Sequence, residues 1–283
     1  MGIATPVLGK VEKQTPSAKT DPVTSLNIKK IKIDAAALKS ITPEQRSTIL
    51  LLGHMANEAN WFRKLLTQAV LGISDEPEGQ AQFGLTVSLG TILASKLHEG
   101  WLALNGETLG PVLSKLALSD ELKALRKELK ALIEDGLIAN IRNKIGFHYP
   151  TSLDFVHLAA VDDEDTKILT TEMGFVGDLF SSISSIALMD ALIDHGEGTE
   201  WQDALVGVWN QVTEVTGRYC FLVSELLALA VETFLPGKLA VEQIDVPDAP
   251  TLAERPLIFF ARPPDNLDEL IAEAKAAEKL AEG

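Results

Sequence analysis

An all-α, up-and-down antiparallel helical bundle, with an extended N-terminal arm and a C-terminal strap plus short helix, is the fold this chain of 283 residues predicts. Three observations carry that expectation. Ala and Leu are abundant while runs of β-branched residues are short, which favours helix over sheet. Apolar residues recur at three- and four-residue spacing through several long windows. The connections between those windows are short, which sets consecutive helices side by side and antiparallel.

Residues 1–41 read as the arm: polar, and punctuated by Pro6, Pro16 and Pro22. Within it, Asn27 to Asp34 alternates partially and predicts one short strand or extended segment. Residues 42–237 form the predicted bundle. Thr42-Pro43-Glu44 starts the first long helix, because Thr42 caps, Pro43 suits the first helical position and Glu44 complements the positive end of the dipole. That helix runs to about Leu71 and ends at Gly72. A second fits residues 79–104, with Leu85, Leu89, Ile92, Leu93, Leu97 and Trp101 at helical spacing, and Asn105-Gly106 ends it. Ser119-Asp120-Glu121 opens a third, striped by Leu122, Leu125, Leu129, Leu132 and Ile133, with Gly136 as a point of interruption. Helix resumes from about Glu172 to Asp194, and a last long helix spans Trp201 to Phe234 before Pro236-Gly237. Residues 238–283 read as a proline-punctuated strap, followed by an amphipathic helix opened by Asp265 and Asn266. Ile258-Phe259-Phe260 suggests that the strap docks on the bundle.

Composition excludes several functional classes. The formal charge is −15, from 40 acidic and 25 basic residues, which argues against a broad nucleic-acid surface but leaves room for a small basic site. Cys220 is the single cysteine, so no internal disulfide forms and a buried thiol is expected. No Cys/His zinc pattern, di-iron Glu-x-x-His repeat, glycine-rich phosphate loop or Gly-x-Ser-x-Gly elbow is present, so no cofactor and no metal are expected. Met1 to Lys10 lacks a basic region followed by an apolar core. The most apolar run, near Phe221 to Val231, is interrupted by Glu225 and falls short of the ~20 residues that span a bilayer. The expectation is a cytoplasmic protein with no membrane association.

One segment concentrates chemistry. Arg142, Asn143, His148 and Tyr149 stand within eight residues of one another. A permanently charged guanidinium beside a group that titrates near neutrality is suited to cutting a phosphodiester without a metal. On an unbroken α-helix the side chains of Arg142 and His148 would point about 120° apart and stand ~9 Å apart along the axis. They converge only if the helix breaks, and Gly146 and Pro150 are the candidates. A bland reading competes with this one: Arg142 and Lys144 neutralise a helix C-terminus, and His148 packs among aromatics.

The order Arg142-Asn143, four further positions and His148, in an all-helical setting, resembles the signature of the HEPN superfamily. The run Leu51-Leu52-Gly53-His54-Met55-Ala56-Asn57-Glu58 before a second long helix is similar to a HEPN branch found among bacterial abortive-infection proteins. The resemblance covers residues 42–235. It implies a helical bundle, homodimerisation and metal-independent endoribonuclease activity of defence or toxin character. It also implies RNA as substrate and an antitoxin or defence protein as partner. Carried over, His148 would serve as general base or acid, Arg142 would stabilise charge on the scissile phosphate, and Asn143 would orient one of them or bind phosphate. Two copies facing each other would form the basic cleft that the acidic chain otherwise lacks. One departure stands out: a toxin-like branch has a tyrosine two places after the histidine, where this chain has Pro150 and carries Tyr149 one place earlier. Many members of the superfamily are inactive, so a non-catalytic module binding a protein partner or a small ligand is the alternative.

Other constellations are weaker. His54 and Glu58, four apart on the first helix, share a face near Trp61 and Phe62; they form an ordinary polar pair or line a cleft near the motif. His98-Glu99 is similar, with Glu99 a candidate partner for Arg142. The acidic run 162–165 reads as a solvated loop.

Overall fold

The computed structural model describes residues 26–74, 76–146, 168–170, 179–190, 201–237 and 239–246. The described chain is predominantly helical. In order it forms β1 (Leu26–Ile33), α1 (Ala35–Ser40), α2 (Pro43–Leu71), α3 (Pro77–Asn105), α4 (Gly110–Leu113), α5 (Asp120–Glu134) and α6 (Leu137–Ile141). A π-helical turn over Arg142–Gly146 follows, then β2 (Ile168–Thr170), β3 (Leu179–Ser181), α7 (Ser182–Asp190), α8 (Trp201–Phe234) and β4 (Leu239–Val246).

Local chemistry sets the main helix starts. Thr42 Oγ1 accepts from the Gln45 backbone N–H at 3.3 Å, and Gln45 Oε1 accepts from the Thr42 N–H at 3.0 Å. This reciprocal capping box satisfies two backbone donors that the first turn of α2 would otherwise leave open. Ser119 Oγ accepts from the Leu122 N–H at 3.2 Å and starts α5 in the same manner. Gly136, read as a point of interruption, caps the short helix α6.

Helix α3 is the central element. It packs against α2, α4, α5, α6, α7 and α8, and buried residues such as Val87, Leu93, Ala94, Leu97 and Trp101 occur around much of its circumference. Its buried hydroxyls stay satisfied within the helix: Thr86, Thr91 and Ser95 each donate to the carbonyl four residues back, at 2.8, 2.8 and 2.9 Å. Polar side chains of this size let neighbouring helices approach closely without leaving an unpaired group.

Side-chain contacts fix the directions. Glu58 on α2 meets Lys96 on α3, while Gly72 lies beside Gln82, so α2 and α3 form an antiparallel hairpin. Gly90 faces the Trp209 ring and Gly100 faces the Tyr219 ring, so α8 runs parallel to α3 and antiparallel to α2. Trp101 meets Glu134 and Asn105 meets Arg126, which sets α5 antiparallel to α3. The core lies between these helices. From α8 it takes Val212, Val215, Tyr219, Leu222, Val223, Leu226 and Ala230, which recur at the spacing of one helical face.

Two expectations change. The strap is not wholly a linker, because β4 pairs antiparallel with β1 over eight residues. Ile28 stands opposite Ile244 and Ile31 opposite Val241, while Lys30 and Lys32 approach Glu242 at 3.7 and 3.1 Å. Neither half alternates strongly by itself. Cross-strand pairs supply the stabilisation, and those join segments far apart in sequence. The helix expected over 172–194 is also shorter: Leu179–Ser181 pairs with Ile168–Thr170, and helix begins only at Ser182. The serines explain the start. Ser181 and Ser184 hydroxyls bond each other at 2.8 Å and Ser185 Oγ donates to the Ser181 carbonyl, the side-chain competition that makes serine favour helix ends. Residues 1–25, 147–167 and 247–283 lie outside the described residues, so the first half of the arm, the acidic run 162–165, Ile258 to Phe260 and the terminal amphipathic helix are not placed.

Candidate anion site at Arg142

Three buried residues, Ile138, Ala139 and Ile141, anchor α6, and α3 packs directly against it and against the π-helical turn. A π-turn widens the coil from an i→i+4 to an i→i+5 pattern. Arg142 is its first residue, so the guanidinium leaves the chain where the regular helix gives way.

The guanidinium is held from two sides. Nε and Nη2 donate to Glu99 Oε1 at 3.1 and 3.0 Å. Nη1 donates to Asn143 Oδ1 at 3.1 Å. Among the described residues three of its five N–H groups are engaged and two remain. The side chain is 33% exposed and that of Glu99 is 43% exposed, so solvent reaches the pair. Glu99, the candidate partner 43 positions away, thus makes direct contact with Arg142, and so does Asn143. His148 and Tyr149 lie outside the described residues.

His54 and Glu58 form a second group on α2. His54 Nε2 stands 3.4 Å from Glu58 Oε2, and Lys96 Nζ on α3 stands 2.8 Å from Glu58 Oε1. Sequence reading missed Lys96, since nothing in local spacing connects positions 58 and 96. Lys96 and Glu99 stand three residues apart on α3, about 4.5 Å along its axis, so the two groups occupy successive turns of one helix. No hydrogen bond or ion pair joins them among the described residues. Their charges cancel: Arg142 and Lys96 against Glu99 and Glu58. Within one chain, the described residues assemble an anchored guanidinium and not a basic cleft.

Two further polar features flank α3. Trp101 Nε1 donates to Glu134 Oε1 at 2.7 Å, which satisfies a buried indole. His98 Nδ1 is buried without a hydrogen-bond partner among the described residues. At Tyr219, burial above all, with the neighbouring Cys220 and Glu58 adding, pushes the phenol well above its ordinary range, so it stays neutral. Burial likewise raises the Cys220 thiol, as expected for a packed and unreactive cysteine.

No described helix is long and apolar enough to cross a membrane. Comparison with protein-family models, with curated proteins and with solved structures finds no match to this chain.

Proposed function

We propose that the protein is a HEPN-like, metal-independent endoribonuclease of bacterial defence or toxin character, acting as a homodimer through Arg142 and His148. The observation that carries this reading is the anchored guanidinium. Arg142 is solvent-reached, oriented by Glu99 and Asn143, and among the described residues retains two N–H donors, at the start of an irregular turn six residues before His148. In this chemistry His148 takes the proton of the ribose 2′-hydroxyl, whose oxygen attacks the adjacent phosphorus. The bond to the 5′-oxygen breaks, that oxygen leaves with a proton, and a cyclic phosphate remains. Imidazole suits the proton transfers because it titrates near neutrality, and the guanidinium stabilises the charge that develops on the phosphate oxygens. An RNA, a second copy of the chain and an antitoxin or defence protein are the partners this reading requires.

The test is RNA cleavage by purified protein in the presence of a chelator, comparing wild type with His148→Ala and Arg142→Ala. Cleavage lost in both variants supports the proposal. Equal cleavage by all three proteins assigns the activity to a contaminant and overturns it.

A second reading has its own observation. The charges of Arg142 and Lys96 are matched by Glu99 and Glu58, which fits a non-catalytic module that binds a protein or small ligand. Wild-type protein that is folded and inert towards RNA favours it.

A further inference from the structure

Helix α5 carries as many acids as bases, but it separates them. Lys123, Arg126, Lys127 and Lys130 fall within eight positions. At 100° per residue they occupy one sector of about 100° and form a ridge about 10 Å long. Glu121 and Glu128 lie on nearly the opposite side, where Arg218 of α8 holds Glu128. The other two carboxylates stand at the ends of the ridge: Asp120 is 2.9 Å from Lys123 Nζ and Glu134 is 3.9 Å from Lys130 Nζ. The centre has no carboxylate. Arg126 Nη2 donates to the Asn105 amide oxygen at 2.7 Å, and Lys127 makes no ion pair among the described residues. The Lys123 and Lys130 side chains are 61% and 64% exposed, and Lys127 is exposed. A solvated helix face ordinarily mixes the two signs. Cations gathered along one side of a helix, in a chain of formal charge −15, are the electrostatic footprint of a polyanion.

The ridge ends at the level of the anion site. Lys130 stands one turn before Glu134, whose carboxylate takes the indole N–H of Trp101 on α3, and Arg142 is held by Glu99 on the same helix. Trp101 and Glu99 are two residues apart, about 3 Å along the α3 axis, and leave it on different sides. The ridge and the guanidinium therefore meet one level of α3 from two directions, with α6 joining them in the chain. A single phosphate engages one of them, whereas a polymer of phosphates engages both. The site at Arg142 is itself electrically balanced, since Glu99 and Glu58 match Arg142 and Lys96. Attraction for a polyanion has to come from outside it, and the centre of the ridge supplies that attraction.

We infer that the α5 ridge, Lys123, Arg126, Lys127 and Lys130, binds the sugar–phosphate backbone of single-stranded RNA and holds the strand whose scissile phosphate lies at Arg142. The choice of RNA as the polyanion rests on the proposed function. The contacts are to phosphates, so they position the strand and carry no base sequence.

Salt dependence of binding reads phosphate contacts directly. The probe is a short single-stranded RNA, 2′-O-methylated so that it lacks the hydroxyl the proposed chemistry needs, and its affinity is followed by fluorescence anisotropy across a salt series. Each phosphate contact to a single strand contributes about 0.7 to the slope of log affinity against log salt. Lys123→Gln/Lys127→Gln/Lys130→Gln should therefore lower that slope by about 2 and weaken binding at low salt on the order of tenfold or more. These side chains are exposed, so circular dichroism should show the variant folded. Lys39→Gln/Lys64→Gln removes two exposed charges from other helices and should leave the slope as in wild type. A slope unchanged in the ridge variant, or lowered as much per charge by the control, overturns the inference. So does a wild type that leaves RNA unbound, including one that binds phosphatidylserine vesicles instead. With cleavable RNA, the ridge variant should raise KM and keep kcat. Ridge-dependent binding by a protein that cleaves no RNA retains this inference and ends the nuclease reading. Cleavage by wild type, with KM and salt slope unchanged in the ridge variant, does the reverse.

Discussion

A close helix contact in the core, between α3 and α8, sets two opposing effects against each other. Gly100 sits inside α3 against the ring of Tyr219, which is 2% exposed. A methyl group at position 100 would meet the Tyr219 hydroxyl far inside contact distance, with Cζ at 3.1 Å and Met55 Cε at 3.4 Å. Gly100→Ala therefore carries two terms. Alanine improves the intrinsic helix preference by about 0.5–1 kcal/mol, while overpacking a rigid core costs about 1–3 kcal/mol. The ring is buried on α8 and has no solvent into which to retreat, so the second term wins and the variant is destabilised by on the order of 1 kcal/mol.

The hydroxyl is responsible for most of the clash, and that makes the reasoning testable by a cycle. In a Tyr219→Phe background the oxygen is gone, and the nearest ring carbon, at 3.1 Å, needs to give only a few tenths of an ångström. The helix-preference term then dominates and Gly100→Ala becomes neutral or stabilising. Equilibrium urea unfolding of the four proteins should give a coupling of about 1–3 kcal/mol between positions 100 and 219, within the range for residues in contact. Midpoints should shift with little change in slope. A substitution energy at position 100 that is the same in both backgrounds would refute the close approach of α8 to α3 on which the packing argument rests.

Three other outcomes are expected. The Tyr219 phenol is raised above its ordinary value of 10.0, first by burial, so the unfolded chain loses this proton above about pH 10 while the folded chain keeps it. The stability associated with Tyr219 is therefore full below that pH and declines as pH rises beyond it; urea midpoints measured into the alkaline range should fall more steeply for wild type than for Tyr219→Phe. Thr42→Ala removes the side-chain half of the capping box and should cost about 1 kcal/mol, read by urea unfolding, whereas Thr42→Ser should cost little. Glu99→Gln keeps an acceptor oxygen for Arg142 and removes the competing charge, so binding of a short RNA measured by fluorescence anisotropy should hold or tighten. Glu99→Ala releases the guanidinium and should weaken that binding. Because the pair is a third or more exposed, neither change should alter stability by more than about 1 kcal/mol.

Much of the fold was legible because its signals are local. The start of α2 at Pro43 was written in Thr42-Pro43-Glu44, and the span of α8, Trp201–Phe234, in its apolar period and the Pro236-Gly237 stop. What was not legible depends on residues far apart. The β1–β4 ladder joins the arm to the strap, and neither strand has a strong pattern by itself. The strand Leu179–Ser181 was hidden in a stretch whose apolar content also suits helix, since short apolar runs do not separate the two. At the site, Arg142, Asn143 and Glu99 were visible as residue types, and the structure brings those three together. Lys96 was not, because its relation to Glu58 arises only from the α2–α3 hairpin. The π-turn over Arg142–Gly146 was approached only as a break at Gly146, since no residue type announces an i→i+5 pattern in the way that proline announces a helix start.

The value of the Glu99–Arg142 pair lies in geometry more than in stability. A solvent-reached ion pair contributes at most about 1 kcal/mol to folding, yet an arginine side chain carries about 2 kcal/mol of rotamer entropy. Glu99 Oε1, by accepting from both Nε and Nη2, and Asn143, by accepting from Nη1, restrict that freedom before any ligand arrives. Among the described residues they leave two N–H groups of Arg142 that neither neighbour takes. A guanidinium free in solvent would bind phosphate from any direction; this one is restricted to a narrow approach. The same carboxylate that orients the cation also opposes an incoming negative charge, so affinity is given up for orientation. Under the proposed nuclease reading, that exchange would favour positioning one scissile phosphate over binding many, in a chain with 40 acidic residues.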